Sequence, residues 1–523
     1  MASGRQPSRS DPVCDTCRRK CRKCDRTRPY CNRCTTKGLV CEGYSLQFKV
    51  YDKTTGPKKP QAKPRVRALS IEANATTCTT PASRPRRSSA LSSPISNAAP
   101  SNSPLQISPA SSSQSQLLVG SPFSSPNHSA QLNDLLSDEQ TQNLLVHFDV
   151  ALCDILSTLS TEHPNPFRMY ILPLAYQHAG LLHAILGLSA CHLRSSEIDS
   201  SQTTHTAAIH HKLLAIQSLG ALLLKEECFG LNDIEEELAL AVVLILVLDD
   251  ICDSGKSLHG AHLNGVAFLC SRIVANPTGH SPFKTFLVAA LAWLDILRGF
   301  TGAEKLAFAP SVRKWVVDAD DFSLETVVGC PVELFYAIGT VLEAGKAYLA
   351  KELPVESFEQ VLHETENDLR LWDSDQPSYP TSDPSWRLLA HAYRHACILR
   401  VLRFPNTFAT PCTDSRVRES VDNILEACAQ VPWSSPLYKK MLFPLFMAGA
   451  DTTIKHQQHY VKICIAEIQH ITGFPQPAVM AILQTVWHER TAAETSSSAP
   501  VNVPWMEYTC SSSLQRQHDY LFF

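Results

Sequence analysis

The chain has 523 residues, 47 of them Lys or Arg and 50 Asp or Glu, a length that allows two or three domains with a large buried core. Residues 1–67 carry 18 basic and 5 acidic side chains, and the remainder is acidic. This division indicates an N-terminal region that binds polyanions, attached to a soluble acidic domain. The first 20 residues lack an apolar segment, and the longest apolar run, 238–248, is too short to cross a bilayer, so neither secretion nor membrane insertion is expected.

Residues 1–13 are polar and are predicted to form a disordered lead. They precede a stretch of 28 residues, 14–41, that holds seven of the 19 cysteines. Six of these repeat one spacing, in which two and then six residues separate successive cysteines. The two triplets are Cys14, Cys17 and Cys24, and Cys31, Cys34 and Cys41. In a chain without an export signal, clustered thiols are expected to be reduced and to bind metal.

The repeated spacing predicts a closed zinc site. Thiolates prefer soft or borderline metals, and a structural zinc takes four ligands. Two zinc ions need eight bonds, so six sulfurs suffice only if two of them bridge both ions. Such a cluster has a formal charge of about −2, counting two divalent zinc ions and six thiolates. Nearby cations that would offset this charge, and that suit a phosphate backbone, are Arg18, Arg19, Lys20, Arg22 and Lys23.

The segment resembles the fungal-type binuclear zinc cluster, whose pattern is Cys-x2-Cys-x6-Cys, a loop with Pro two residues before the fourth Cys, and a second Cys-x2-Cys-x6-Cys. All six ligand positions match, and the match extends to Arg18, Lys23, Asp25 and Pro29. The resemblance implies two zinc ions per chain, bridged by Cys14 and Cys31. It also implies two short helices, the first of which would enter the major groove of double-stranded DNA over a CGG-like half-site.

One position departs from the family pattern. Four residues after the second ligand, where the family usually has a base-contacting Lys, this chain has Cys21. A thiol is not a cationic donor to guanine, so the CGG preference is weakened and Lys20 becomes the candidate for base contact. Phosphate contacts are assigned to Arg18, Arg19, Arg22, Lys23, Arg26 and Arg33.

Cys21 also permits a rival metal site. Cys14, Cys17, Cys21 and Cys24 could close a four-thiolate site around one zinc, leaving the second half short of a ligand. The exact duplication of the spacing favours the six-ligand cluster.

Residues 42–134 are predicted to be a linker, basic at first and then rich in Ser and Pro. The basic runs at 57–67 and 84–87 suit a phosphate backbone or a nuclear import signal. From residue 68 the chain has too few apolar side chains to fold and should be disordered. Sustained heptads are lacking, so a monomer or a dimer through the large domain stays open. Ser-Pro pairs, candidate phosphorylation sites, begin at Ser93, Ser103, Ser108, Ser121 and Ser125.

From about residue 135 apolar side chains recur every three or four positions, which predicts an all-α domain over 135–523. Two helical patterns cover 144–159 and 169–193, separated by Asn165-Pro166-Phe167. Further helices are expected near 205–227, 232–252, 258–274, 282–299, 324–351, 355–372, 384–403, 415–430, 437–469 and 476–490. Alternating strand patterns are scarce, and no fixed repeat indicates a solenoid.

This region resembles the fungal-specific transcription factor domain. The matching segments are short and mostly aliphatic, and they lie at 165–168, 171–175, 181–190, 262–265 and 293–296. The resemblance implies an α-helical regulatory domain without catalytic residues.

Catalytic and metal motifs in the helical region are incomplete. Residues 339–347 imitate a phosphate loop but have five residues between the glycines and no hydroxyl after the Lys. His363-Glu364 and His488-Glu489 lack the second His of a zinc protease. The His205/His210 and His259/His262 pairs are interpreted as core or surface residues. The chain is therefore not expected to be an enzyme.

The tail, residues 491–523, has large apolar side chains in a polar, Ser-rich setting. Docking against the helical body is the favoured interpretation, and a short coactivator-binding patch is the alternative. The side chains concerned are Trp505, Met506, Tyr508, Tyr520, Phe522 and Phe523.

These features predict a nuclear, sequence-specific, DNA-binding regulator of genes transcribed by RNA polymerase II, with a biosynthetic gene cluster as one kind of target. Coregulators and a second copy of the chain are candidate partners, and no membrane is expected. Two alternatives remain. One is a transcriptional cofactor that does not bind DNA because Cys21 has disabled base readout. The other is a thiolate cluster that senses copper or oxidants.

Overall fold

The structure is a computed structural model that describes residues 16–17, 23–25, 31–37, 41, 126–159, 164–196, 198–199, 201–257, 260–276, 281–319, 323–496, 502–509 and 519–520. The chain divides into two units, residues 1–112 and 113–523. Several predictions concern residues outside the described ranges: the lead at 1–13, the basic runs, the Ser-Pro pairs and the linker as far as residue 125.

The second unit is built largely from helices, as predicted. The described part of the first unit contains the short helix α1, Asn32–Thr36, and Thr16 and Cys17 are also helical. The helices of the second unit are α2 Pro126–Ser137, α3 Glu139–His147, α4 Cys153–Leu156, α5 Leu172–Ala175, α6 Ala179–Ser195, α7 Gln202–Phe229, α8 Asp233–Ser254, α9 Gly260–Ala275, α10 Pro282–Thr301, α11 Pro310–Val317, α12 Glu325–Val328, α13 Val332–Leu349, α14 Val355–Leu371, α15 Ser385–Val401, α16 Ser415–Gln430, α17 Leu442–Asp451, α18 Lys455–Thr472 and α19 Pro477–Ser496. Phe148–Leu152 and Phe167–Ile171 are π-helical, and Ala303–Lys305, Tyr438–Met441 and Trp505–Tyr508 are 3-10 turns.

Helices α8 and α10 are buried on nearly every side. The apolar run at 238–248 lies within α8 and is buried throughout, which confirms that it is a core helix. A helix that is apolar all round is stable in water only when it is enclosed by other elements. A capping box starts α8, because Asn232 Oδ1 accepts from the N–H of Glu235 at 3.0 Å and the Glu235 carboxylate accepts from the N–H of Asn232 at 3.2 Å. Gly255, at φ 67°, ends it.

Three predicted helices are divided in the structure. The segment 169–193 breaks at residues 176–178, between α5 and α6, where His178 has an extended backbone. The segment 324–351 breaks at Gly329, which has φ 79°, and resumes after Pro331. The Glu325 carboxylate accepts from the first N–H of α13, on Val332, at 3.1 Å. The segment 437–469 breaks after α17, where the buried Arg490 guanidinium donates to the carbonyl oxygen of Thr452 at 3.1 Å.

Two further differences concern short or marginal helices. The helix α2 begins at Pro126, although helical periodicity was expected only from about residue 135. The eight-residue helix α11 lies in a stretch where no helix was predicted. A small antiparallel sheet pairs β1, Lys256–Ser257, with β2, Asp519–Tyr520.

The described part of the tail, 502–509, docks into the helical unit. Trp505 is fully buried and packs edge to face on Phe446, with ring centroids 5.0 Å apart. The hydroxyl of Thr509 donates to the carbonyl oxygen of Thr301 at 3.0 Å, and Lys305 Nζ donates to the carbonyl oxygen of Thr509 at 3.1 Å. Docking, the favoured interpretation of the tail, is therefore confirmed for Trp505 and its neighbours.

Among the described residues, α7 is the helix long and apolar enough to cross a membrane. Core helices of soluble proteins pass the same test, so length and composition alone carry little weight. The helix packs against α6 and α8, and Lys212 Nζ lies 2.5 Å from Asp249 Oδ2 and 2.7 Å from Asp250 Oδ1. These ion pairs attach α7 to the rest of the helical unit.

Candidate metal centre and nucleic-acid interface

Five predicted metal ligands lie within the described residues, and their sulfur atoms form two overlapping groups. Cys17, Cys24 and Cys31 make one group, and Cys31, Cys34 and Cys41 make the other. Within each group the sulfurs all lie within 4.8 Å of one another. Three of the five side chains are buried and two are half-buried. Cys31 belongs to both groups, which is the position required of a bridging ligand.

The separation of the sulfurs suits a tetrahedral metal. Cys17 Sγ lies 3.7 Å from Cys31 Sγ, which belongs to the same group, and 3.7 Å from Cys34 Sγ, which belongs to the other. The first of these distances tests whether one ion could bind both sulfurs. Two thiolates bound to one zinc at about 2.3 Å in a tetrahedron are about 3.8 Å apart. The residues present therefore fit zinc. The sixth predicted ligand, Cys14, lies outside the described residues, as does Cys21, on which the rival four-thiolate site depends.

Hydrogen bonds from backbone N–H groups at the start of α1 hold the polypeptide around these sulfurs in place. Cys31 is the N-cap residue, and its Sγ accepts from the N–H of Cys34 at 3.3 Å. The Asp25 carboxylate accepts from the N–H of Asn32 at 3.1 Å and from the N–H of Arg33 at 2.7 Å. A carboxylate here satisfies backbone donors that lack helical partners and complements the helix dipole.

Asp25 was not among the predicted site residues. The available signal was its match to the cluster pattern, one residue after the third ligand. Its two hydrogen bonds join the first cysteine triplet to the helix of the second. This positioning role depends on a fold that residue spacing does not reveal.

Two of the seven predicted DNA-contacting side chains are described. Lys23 is exposed, as a phosphate contact requires. Arg33 is half-buried, and its Nη1 donates to Cys17 Sγ at 3.8 Å, so its positive charge lies beside a metal-binding sulfur. The other five, Arg18, Arg19, Lys20, Arg22 and Arg26, lie outside the described residues.

The helical unit does not assemble the other motifs considered. Residues 339–347 lie within α13, so their glycines do not form a phosphate-binding loop. His363 and His488 are exposed on α14 and α19. Across the described part of the chain, groups of three or more close metal-ligating side chains occur only among the amino-terminal cysteines.

A cysteine module that fits zinc and carries cationic side chains, followed in the chain by a largely helical unit, defines the class of zinc-dependent nucleic-acid-binding regulators. Comparison with known proteins supports this class. Residues 12–51 match the fungal Zn(2)-Cys(6) binuclear cluster domain, and residues 143–523 match the fungal specific transcription factor domain. The second match covers most of the chain, which therefore belongs to the fungal specific transcription factor family.

One curated relative is the acriflavine sensitivity control protein acr-2 of Neurospora crassa, which is 20% identical over 595 aligned residues that cover 95% of each chain. No solved structure gives a significant match. The chain is a DNA-binding transcription regulator, and its amino-terminal domain binds two zinc ions. The two domains indicate a regulatory role, not an enzymatic one.

Proposed function

We propose that this chain is a nuclear, sequence-specific regulator of genes transcribed by RNA polymerase II. The zinc module reads double-stranded DNA, and the helical domain controls activity through a coregulator or a small effector. The observation that carries this proposal is the pair of cysteine groups that share Cys31, because it sets the module apart from a single-zinc site. A biosynthetic gene cluster is the kind of target that we expect.

The proposed ligands are the six repeated cysteines, with Cys14 and Cys31 bridging. The grouping of Cys17 and Cys24 with Cys31 supports this assignment, because the rival four-thiolate site does not use Cys31. When bound, zinc supplies cross-links that fix the fold of a module whose described residues bury no apolar side chain other than cysteine. The protein's own contribution is to orient the sulfurs, through Asp25 and the N-cap of α1.

The proposed DNA contacts divide by role. Lys20 is assigned to base edges in the major groove. Phosphate contacts are assigned to Arg18, Arg19, Arg22, Lys23, Arg26 and Arg33. The exposure of Lys23 supports its assignment. Arg33 directs one nitrogen to Cys17 Sγ, which leaves its other N–H donors for a phosphate and lets it stabilise both the cluster and the complex.

Selection of the full-length zinc-loaded protein against random oligonucleotides tests the proposal. We expect enrichment of one short site, and an affinity that falls with salt at a log-log slope of about −0.9 per phosphate contact. Lys20→Ala should relax the preference at one base pair. Lys23→Ala should weaken binding to every sequence and reduce the slope by about 1. Lys37→Ala, at an exposed position outside the assigned set, is the matched control.

Two results would reject the proposal in favour of the alternatives. Equal binding to every oligonucleotide at moderate salt would indicate a cofactor that relies on another protein for specificity. Copper or disulfides in place of zinc in the purified protein would indicate a metal or redox sensor.

A further inference from the structure

Two cysteines and two tyrosines form a hydrogen-bonded cluster in the helical unit. Cys428 lies on α16, Tyr438 on the 3-10 turn that precedes α17, and Tyr460 and Cys464 on α18. Cys428 Sγ donates to Tyr438 Oη at 3.8 Å. Side-chain hydrogen bonds also join Cys464 to Cys428 and to both tyrosine hydroxyls. The two sulfurs come from different helices and are direct neighbours.

The cluster is buried and lies just beneath the protein surface. Cys428, Tyr438 and Cys464 are buried, whereas Tyr460 is half-buried. The exposed Trp433 lies beside Tyr438, with ring centroids 6.3 Å apart. Side chains near a surface change rotamer on a nanosecond timescale, so movement of Tyr460 admits a molecule the size of water. Hydrogen peroxide is close to that size, and bulky thiol reagents are not.

Hydrogen bonding gives the two thiols different roles. The hydrogen bond from Cys428, and then those from Tyr438 and Tyr460, lower the pKa of Cys464 below its ordinary value of 9.0, although burial opposes them. The contact with Cys464, together with burial, raises the pKa of Cys428. The thiolate form of cysteine is the one that attacks a peroxide. Cys464 is therefore placed to react first, and Cys428 is placed to react with the product.

A second pair of thiols provides a contrast within the same protein. Cys330 and Cys397 are both buried and are close enough to interact. Burial raises the pKa of Cys397 to about 12, and burial and the neighbouring Cys397 raise the pKa of Cys330. Thiols buried in apolar surroundings are inert, so this pair should not react with peroxide at neutral pH.

We propose that Cys428 and Cys464 are a modification site for hydrogen peroxide, which oxidises the two thiols to a disulfide that links α16 to α18. The Cys464 thiolate attacks one oxygen of the peroxide, so that an S–O bond forms, the O–O bond breaks and hydroxide leaves. This hydroxide takes the proton of the Cys428 thiol. The Cys428 thiolate then attacks Cys464 Sγ, which forms the S–S bond and breaks the S–O bond. The second hydroxide takes up the proton that Cys464 released on ionisation, so two thiols lose two electrons and the peroxide becomes two molecules of water.

The disulfide joins two helices that both pack against α17, whose residues are all buried. A cross-link that closes the intervening loop restricts the unfolded chain. The oxidised protein should therefore resist urea better than the reduced protein does. This site gives the helical domain a response to peroxide that does not depend on how the zinc module binds DNA.

Treatment of the full-length, zinc-loaded protein with hydrogen peroxide at neutral pH tests the proposal. Free thiols are then blocked, and the protein is digested without reduction for mass spectrometry. We expect a pair of peptides linked through Cys428 and Cys464, which dithiothreitol separates. Cys330 and Cys397 should remain free thiols in the same sample. Zinc release is measured in parallel, because it reports separately on oxidation of the amino-terminal cysteines.

Variants test the role of each side chain. Cys464→Ser should leave Cys428 as a free thiol, whereas Cys428→Ser should leave Cys464 as a sulfenic acid that dimedone traps when the protein is denatured. Tyr460→Phe removes a hydrogen bond and keeps the ring. It should slow disulfide formation at least about twofold and shift the midpoint of the pH profile of the rate upward. Tyr336→Phe, at a tyrosine 43% exposed on α13, is the matched control and should keep the original rate.

Three outcomes would overturn the proposal. One is that Cys428 and Cys464 stay reduced at peroxide concentrations that oxidise methionine. Another is that they react no faster than Cys330 and Cys397, which would mean that the hydrogen bonds confer no reactivity. The third is release of zinc without the Cys428–Cys464 disulfide. That result would place peroxide chemistry in the zinc module and reject a site in the helical domain.

Discussion

Arg403 and Asp451 form an ion pair from which water is excluded. Arg403 Nη2 lies 2.5 Å from Asp451 Oδ1, and neither side chain has any exposed surface. Burial alone would lower the pKa of Arg403, but the charge of Asp451 more than offsets it, so that the net effect is a raised pKa. The guanidinium also donates to the carbonyl oxygen of Thr410 and to Cys412 Sγ. The pair joins the end of α17 to the segment that follows α15.

Asp451→Ala should lower the free energy of unfolding by about 3–5 kcal/mol, because it leaves the Arg403 charge buried without a counter-ion. Urea denaturation followed by tryptophan fluorescence measures this change. All seven tryptophans lie in the region after residue 134, so the signal reports on the helical domain. Asp375→Ala breaks a pair with Arg387 whose side chains are 65% and 61% exposed, and should cost less than about 1 kcal/mol. Equal losses for the two variants would contradict the burial argument.

Trp505→Ala should lower the free energy of unfolding by about 3–5 kcal/mol, since it empties a buried site beside Phe446. Trp433→Ala is the matched control, because Trp433 is 52% exposed, and a loss below about 1 kcal/mol is expected. Deletion of residues 500–523 should reduce solubility, because it exposes the apolar surface around Phe446 that Trp505 covers. If the deletion instead abolished only transcription, the tail would act as a coactivator patch.

Cys21→Ala should leave two zinc ions per chain, whereas Cys31→Ala should abolish binding of both. The reason is that Cys31 belongs to both sulfur groups and the six-ligand cluster does not use Cys21. Metal analysis of the purified variants by mass spectrometry provides the measurement. Only one zinc in the Cys21→Ala protein would support the four-thiolate alternative.

Asp25→Ala should weaken zinc binding about tenfold in a chelator competition, which corresponds to about 1.4 kcal/mol. The carboxylate accepts two backbone N–H groups at the start of α1, and loss of a helix cap typically costs about this much. Lys37→Ala, at the exposed C-terminal end of α1, should bind zinc normally. An unchanged affinity in Asp25→Ala would show that the cluster folds without this cap.

Stability of the helical domain should fall on acidification through a pair of neutral histidines. His192 Nε2 lies 2.8 Å from the carbonyl oxygen of Thr472, which only accepts, so this nitrogen carries the proton. His192 Nδ1 therefore accepts from His147 Nε2, 2.9 Å away. Burial, and then the neighbouring His192, lower the pKa of His147 to about 4 from an ordinary value of 6.5. Burial also lowers the pKa of His192.

A lowered histidine pKa means that the unfolded chain takes up protons before the folded chain does. The stability that the neutral pair contributes is thus complete above pH 6.5 and is lost as the pH falls from 6.5 to about 4. Each histidine adds a slope of at most about 1.4 kcal/mol per pH unit. Urea denaturation at about pH 7, 6 and 5 should show a smaller slope for His147→Gln, which keeps a donor but does not titrate. His363→Gln, at an exposed site, should keep the original slope.

The sequence predicted the zinc module and the helical class because both depend on local spacing. Thiolate coordination fixes the distances between ligands along the chain, and core helices such as α8 show their burial as continuous apolar runs. Docking of Trp505 was predictable for a similar reason, since a large apolar side chain in a polar tail gains most by leaving water.

Other features depended on contacts between distant residues. The break after α17 occurs where Arg490 donates a hydrogen bond to the carbonyl oxygen of Thr452, 38 residues earlier in the chain. The apolar periodicity of the sequence does not indicate such a contact. The division at Gly329 had a visible signal, since a Gly followed two residues later by Pro commonly ends a helix, and the apolar pattern on both sides hid it. The role of Asp25 likewise rests on the distance from its carboxylate to α1.

The hydroxyl of Thr509 reaches the carbonyl oxygen of Thr301 across 208 residues of chain. During synthesis, α10 therefore emerges from the ribosome long before the segment that completes its surroundings. The core stays open until Trp505 and Thr509 are translated, so a nascent chain paused or cut short before them exposes an apolar surface to chaperones and proteases. Production of folded regulator is thereby tied to translation as far as Thr509.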